Sequence, residues 1–286
     1  MDVLKYKKIT YSISIAIILT GIVLFFIRGF NLGIDFTGGT IITLNLSGYT
    51  SIEEVKEITN KYDENASIIH EGENKETVII KSNKDLSNKD INSLIDDFRN
   101  QYGLSDNSYQ TEKFGPSMGS EIFKRAIISI IIALACMLIY ISIRFQLNFG
   151  VAAIVTLIHD CLIMTSLYLI LYIPVTSAFI AAILTILGYS INDTIVVFDR
   201  IREELHMNKK TKLNLLINNS IKMTLRRTLY TTMTTLIAVF CLYIFGVDDI
   251  KELALPLIFG MIAGTYSTLF IASPIWYKLE MKSKSN

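Results

Sequence analysis

The chain has 286 residues, of which 51% are hydrophobic and 19% charged, and its mean hydropathy is +0.44. That composition excludes an ordinary soluble domain, which has no interior large enough for so much apolar surface. The formal net charge of +1 excludes nothing by itself, because the charges are sorted along the chain.

The first predicted element is an apolar span over 9–27, led by Lys5, Lys7 and Lys8. Its core is too long for a signal peptide, and Arg28-Gly29-Phe30-Asn31 follows where a small-residue cleavage site would lie, so it reads as an uncleaved helix. A glycine-rich turn, Gly33-Ile34-Asp35-Phe36-Thr37-Gly38-Gly39, comes next; it lacks the lysine and the spacing of a phosphate loop.

Residues 40–46 alternate with period two (Ile42, Leu44, Leu46) and predict a strand. Ser51 and Glu54 form a capping-box pattern that opens a helix to about Tyr62. Two β-rich runs, 66–71 and 76–82, flank a turn at 72–75. Ser87 and Asp90 cap a second helix to about Tyr102, and a polar strand over 107–114 closes the series. The order βαββαβ predicts a small α+β ferredoxin-like domain. Residues 115–119, with two glycines and a proline, are expected to break the chain before the second span.

Four more charge-free runs follow, at 126–143, 161–192, 228–247 and 253–277. Each can cross roughly 30 Å of hydrocarbon, and Pro174 divides the double-length one into helices over about 149–171 and 175–198. The fold class expected is therefore an α-helical polytopic membrane protein with six transmembrane helices and the ferredoxin-like domain between helices 1 and 2. The domains are 1–28, 29–121 and 122–286, the last with a basic cytoplasmic loop at 199–227.

Fifteen of the 27 basic residues fall in short segments on one side of these spans, among them Arg144, Arg200, Arg202, Lys209, Lys210, Lys222, Arg226 and Arg227. The positive-inside rule puts those segments and both termini in the cytoplasm. The segment 29–121, with 16 acidic and 8 basic residues, then lies outside. In the basic loop, Leu213, Leu216, Ile217, Ile221 and Leu225 recur at helical spacing and predict an amphipathic helix on the membrane surface or on neighbouring helices. Cys136, Cys161 and Cys241 all sit inside spans, so neither a disulfide framework nor a metal site is expected.

Asp193 is the residue most suggestive of chemistry. It lies roughly 9 Å from the centre of its predicted span, where a carboxylate costs on the order of 2.5–3.5 kcal/mol to insert. A carboxylate at that depth can take up and release a proton or a sodium ion. Arg227 opens the fifth span and is either a topological anchor or a partner for Asp193. His159 and Asp160 can serve as a proton relay, although neighbours on a helix point about 100° apart and only one is expected to face a given partner. Asn192 adjoins Asp193. Asp199 and Arg200 read as a solvated helix end, and Gly260 and Gly264 as a close-packing GxxxG pair.

The stretches 32–40 and 188–203 (Gly188-Tyr-Ser-Ile-Asn-Asp-Thr-Ile-Val-Val-Phe-Asp-Arg-Ile-Arg-Glu203) resemble the signatures of the SecF family, the smaller of the paired SecD and SecF subunits. Leu225-Arg-Arg-Thr-Leu229 and the threonine-rich helix after it resemble that family's fifth span. The resemblance covers essentially the whole chain. It implies a member of the resistance-nodulation-division superfamily in the bacterial cytoplasmic membrane. The implied partners are a separate SecD subunit, the SecYEG channel and a translocating preprotein, with no nucleic acid. It also implies use of an ion motive force, with no enzymatic activity, metal or cofactor. The family's essential carboxylate maps to Asp193 and its functional arginine to Arg227. Gly33, Asp35, Phe36, Gly38, Gly39, Asp199 and Arg200 fall in its motifs.

The rivals weighed are a small-molecule exporter of the same superfamily, for which the outer segment is too small, and a structural membrane scaffold. An intramembrane aspartyl protease using Asp160 and Asp193 lacks the Gly-x-Gly-Asp element of that class.

Overall fold

Every charge-free run is largely helical; the exceptions are 172–176, around Pro174, and 246–247, past the end of a helix. The computed structural model describes residues 3–46, 48–72, 75–105, 108–208 and 211–285. The predicted turn at 72–75 and the start of the strand at 107 fall partly outside these residues, as do Lys209 and Lys210.

Helix α1 (Val3–Arg28) is followed by a single turn, α2 (Ile34–Thr37), and then by β1 (Gly39–Asn45). Next come α3 (Ile52–Thr59), β2 (Ser67–Glu71), β3 (Thr77–Ser82), α4 (Asn88–Tyr102) and β4 (Tyr109–Phe114). The chain returns through α5 (Pro116–Arg144), α6 (Leu147–Leu171), α7 (Ser177–Met207) and α8 (Leu213–Phe245). It ends in α9 (Asp248–Ser267), a π turn over Thr268–Ala272, and α10 (Ser273–Ser285), which together make one span. Among the described residues six helices are long and apolar enough to cross a membrane, as expected of a multi-pass membrane protein.

Two expectations need correction, and one left open between two placements is decided. Residues 115–119 do not break the chain: Pro116 opens α5, because the first turn of a helix has no use for the N–H that proline lacks. Gly119 belongs to that helix too; a Cβ there would lie 2.3 Å from the carbonyl oxygen of Phe36. The basic segment 199–227 is mostly helix, shared between the end of α7 and the start of α8. Of the two placements expected for the amphipathic pattern at 213–225, packing on neighbouring helices is the one found: it forms the first turns of α8, with Leu216, Ile217 and Ile221 buried in the bundle core.

The four strands form one antiparallel sheet in the order β2-β3-β1-β4. Alternation along β1 and β3 sends Ile42, Leu44, Val78 and Ile80 into a core closed by Val55, Ile58, Leu94 and Phe98 from α3 and α4. Edge strand β4 contributes no residue to that core, which explains its polar sequence. Ser51 caps α3 by accepting from the Glu54 N–H at 3.3 Å, and Ser87 and Asp90 form a reciprocal capping box on α4. A second core fills the helix bundle, where Phe149 stacks on Trp276 with ring centroids 4.6 Å apart.

Asp63 ties the loop after α3 to the end of β3. Its buried carboxylate accepts from Ser82 Oγ at 2.6 Å and from the Asn65 N–H at 3.2 Å, and it pairs with Lys84 at 3.3 Å. Burial opposes its ionisation, but these three donors outweigh burial and hold its carboxyl below the usual carboxylate range. A carboxyl so lowered stabilises the fold near neutrality and loses that effect as pH falls below about 4 toward its native value. Asp63→Asn should remove this pH dependence. At pH 7 it should lower hydrogen-exchange protection of the β3 amides about tenfold, the scale of one buried partner lost.

A buried carboxylate site in the helix bundle

α7 runs unbroken from Ser177 to Met207 and carries Asp193 about 24 Å from its first residue, at ~1.5 Å per residue. Asp193 is 5% exposed, and its Oδ2 is buried without a hydrogen-bond partner in the described chain. The Thr232 hydroxyl of α8 lies against the carboxylate and is also 2.9 Å from the hydroxyl of Thr265 on α9. Arg227 of α8 is near enough to act on Asp193 through its charge but does not close on Oδ2, and its side chain is exposed. One residue along α7, Thr194 shares a 2.9 Å hydrogen bond with Thr268, the first residue of the π turn. Asp193 thus sits at a seam of hydroxyls from α7, α8 and α9, incompletely satisfied. Such a π turn is often found where a helix does work.

Asp160 on α6 has the opposite character. It is fully buried, and both oxygens are engaged. Oδ2 accepts from Ser190 Oγ of α7 at 2.6 Å, and Oδ1 lies 3.1 Å from His159 Nδ1. The other ring nitrogen of His159, Nε2, is 2.8 Å from Ser14 Oγ on α1. A neutral imidazole protonated at Nδ1 satisfies all three contacts, with the Ser14 hydroxyl donating to Nε2. His159 and Asp160 reach different partners, Ser14 on α1 and Ser190 on α7, as their ~100° separation around the helix requires. The imidazole folds back onto its neighbour, and the two act as one unit joining α1, α6 and α7. Gly264 lets α9 approach them, since a Cβ there would lie 3.0 Å from Ser190 Cβ. At Gly260 a Cβ would meet Ile186 at 2.5 Å, so the GxxxG pair makes the close packing expected of it. Asp160 and Asp193 share no hydrogen bond.

The glycine-rich motif lies at the junction of the sheet unit with the bundle. The Gly33 N–H donates to Val175 O at 2.8 Å, and the Val175 N–H donates to Asn31 O at 2.7 Å. Asp35 Oδ2 accepts from the Ser177 N–H at 2.6 Å. Phe36 packs edge-on against Phe123 of α5, with centroids 5.6 Å apart. Gly38 and Gly39 have φ of 74° and 150°, and a Cβ at Gly39 would lie 2.1 Å from Ser82 O. Asn192 and Asp199 are exposed, and Arg200 pairs with Glu203 and Glu204 along the end of α7.

The model of the protein-export membrane protein SecD/SecF C-terminal region matches residues 95–282, and that of the SecD/SecF GG motif matches 23–48. The chain belongs to the SecD/SecF family of protein-export membrane proteins. Protein translocase subunit SecF of Helicobacter pylori J99 is 34% identical over 281 residues, which is 96% of this chain and 86% of that protein. The SecF of Desulfurispirillum indicum is 39% identical over 274 residues, covering 92% and 87%. Among solved structures, the translocon-associated SecDF of Thermus thermophilus superposes with a TM-score of 0.83 at 29% identity. That match covers 98% of this chain and 39% of the SecDF chain, so this chain spans well under half of it.

In this SecD/SecF-family chain, several polar residues escaped the sequence reading. Ser14, Ser190 and Thr232 are ordinary residues by composition, and only tertiary packing puts Ser190 and Thr232 on carboxylates and Ser14 on the His159 imidazole. Ser190 carries the clearest local signal, one turn before Asp193 on the same helix. Ser190→Ala leaves Asp160 Oδ2 unsatisfied, which costs about 1–3 kcal/mol. The purified protein should therefore melt a few degrees lower in a detergent thermal scan, whereas Asn192→Ala at an exposed position should leave the melting temperature unchanged.

Proposed function

We propose that this chain is a SecF-like subunit of the Sec protein-translocation machinery, embedded in the bacterial cytoplasmic membrane beside a separate SecD subunit and the SecYEG channel. With SecD it couples the proton or sodium motive force to the late stage of preprotein movement. The observation that carries the mechanism is Asp193, an incompletely satisfied carboxylate within the bundle with Arg227 as its cationic neighbour.

The topology proposed has both termini in the cytoplasm and the ferredoxin-like unit, residues 29–121, outside. Two features support it. The Val3 N–H donates to Asn218 Oδ1, which places the N-terminus beside the basic start of α8. The sheet unit contacts the opposite end, where Lys81 pairs with Glu252 of α9 at 3.2 Å. The sheet order β2-β3-β1-β4 with every pair antiparallel supports the ferredoxin-like assignment.

Binding of the coupling ion neutralises Asp193 and removes its attraction to Arg227, which changes the preferred packing of α7 against α8. One charge crossing 100 mV is worth about 2.3 kcal/mol, enough to shift a two-state equilibrium nearly fifty-fold. His159 and Asp160 hold α1, α6 and α7 together in this scheme, and the family motifs at 33–39 and 199–200 bracket the moving helix. The satisfied state of Asp160 favours that supporting role over a second ion site.

The test is export of a model secreted protein into inverted vesicles carrying this chain with SecD. Asp193→Asn should abolish the gain from an imposed ion gradient while SecD still co-purifies. Equal gains in mutant and wild type would make Asp193 structural and defeat the mechanism.

A further inference from the structure

The helix that carries Asp193 has an unusual N-terminus. Its N-cap residue, Thr176, is extended (φ −118°, ψ 176°) but makes no side-chain cap hydrogen bond. The free N–H of Ser177 is instead taken by Asp35, 142 positions earlier in the chain. A carboxylate is the favoured partner for that end of a helix, by hydrogen bond and by dipole.

Asp35 stands in a segment with little slack. Upstream, the Arg28 guanidinium donates to the Leu169 and Ile170 carbonyls at the end of α6 and lies 4.5 Å from the centre of the Tyr172 ring. Around it, the glycine contacts at 33, 39 and 119 leave no room for even a methyl group without displacement. Downstream, Gly39 begins β1, which is paired on both sides by β3 and β4. The outer end of α7 is thus tied to an interior strand of the outer unit through a few residues. Backbone bonds between Gly33, Val175 and Asn31 hold the same segment beside the N-cap residue. Asp35 alone among the ties noted above bonds the helix itself, and Lys81 to Glu252 reaches α9 rather than α7.

We propose that Asp35 is the positioning residue that fastens the outer end of α7 to the sheet unit, so that displacement of α7 driven by the charge state of Asp193 is delivered to that unit through residues 28–39. This rests on the reading of Asp193 as the ion-coupling carboxylate. α7 has no proline or break between Ser177 and Asp193, so it transmits an axial shift or rotation over its length.

The experiment uses the complex with SecD in inverted vesicles. Asp35→Ala should lower the gradient-dependent gain in export about fivefold, the scale of a lost cap, while gradient-independent export and SecD co-purification are unchanged. Asp35→Asn keeps an accepting oxygen and should retain most of the gain. Equal proportional loss with and without the gradient, loss of assembly in the alanine variant, or an undiminished gain would each overturn the proposal. A second readout needs no export. Hydrogen exchange of the amides at 177–180 should differ about fivefold between wild type and Asp193→Asn, and the difference should vanish in the Asp35→Ala background. Identical exchange in wild type and Asp193→Asn would overturn the proposal. A wild-type complex without any gradient-dependent gain would instead defeat the underlying reading, leaving the exchange comparison to decide whether the two positions communicate.

Discussion

Hydrocarbon offers a carboxylate no water, and the helix packing follows from where two carboxylates sit. Around Asp160 the bundle supplies every partner: a hydroxyl from α7, an imidazole from its own helix, and through that imidazole a hydroxyl from α1. Around Asp193 it supplies less, a threonine hydroxyl and a guanidinium at a distance. The first arrangement fixes helices in place. The second leaves a charge whose neutralisation changes the local energy. In the coupling proposed above, the first holds the frame and the second responds.

Glycine and hydroxyl residues make this packing possible. Gly21 lets α1 lie against Ser166 of α6, and Gly264 lets α9 lie against Ser190. Side chains larger than hydrogen at these points would push the helices apart and withdraw the partners of Asp160. In lipid, association of helices has little hydrophobic drive behind it, so close backbone approach and interhelical hydrogen bonds carry more of the load than in water.

Much of this was legible in the sequence. The spans follow from charge-free runs, because charge in hydrocarbon is costly whatever the fold. The sheet unit follows from period-two alternation at Ile42 and Leu44 and from side-chain caps at Ser51 and Ser87, which are local signals. Asp193 stood out as a carboxylate within an apolar helix. What stayed hidden is long-range. The capping of Ser177 by Asp35 pairs residues 142 apart, and nothing at either position announces the other. The extension of α7 and α8 past the predicted spans was masked by their charges, which hydropathy scores as loop even where Arg200 and Glu204 stabilise a helix by pairing along one face. The fold-back of His159 onto Asp160 depends on a rotamer that helical geometry alone does not fix.

The π turn at Thr268–Ala272 sets the grain of any motion at the far end of the last span. Such a turn accommodates one residue more than an α-helical turn does. Resolving it into α-helix carries everything beyond it forward by a single register, about 1.5 Å along the axis and 100° around it. Intermediate positions would leave backbone N–H groups unpaired in hydrocarbon. Were that turn resolved, the stretch from Ser273 onward, with Trp276 buried in the core, would have to move by that whole step rather than by a fraction of it.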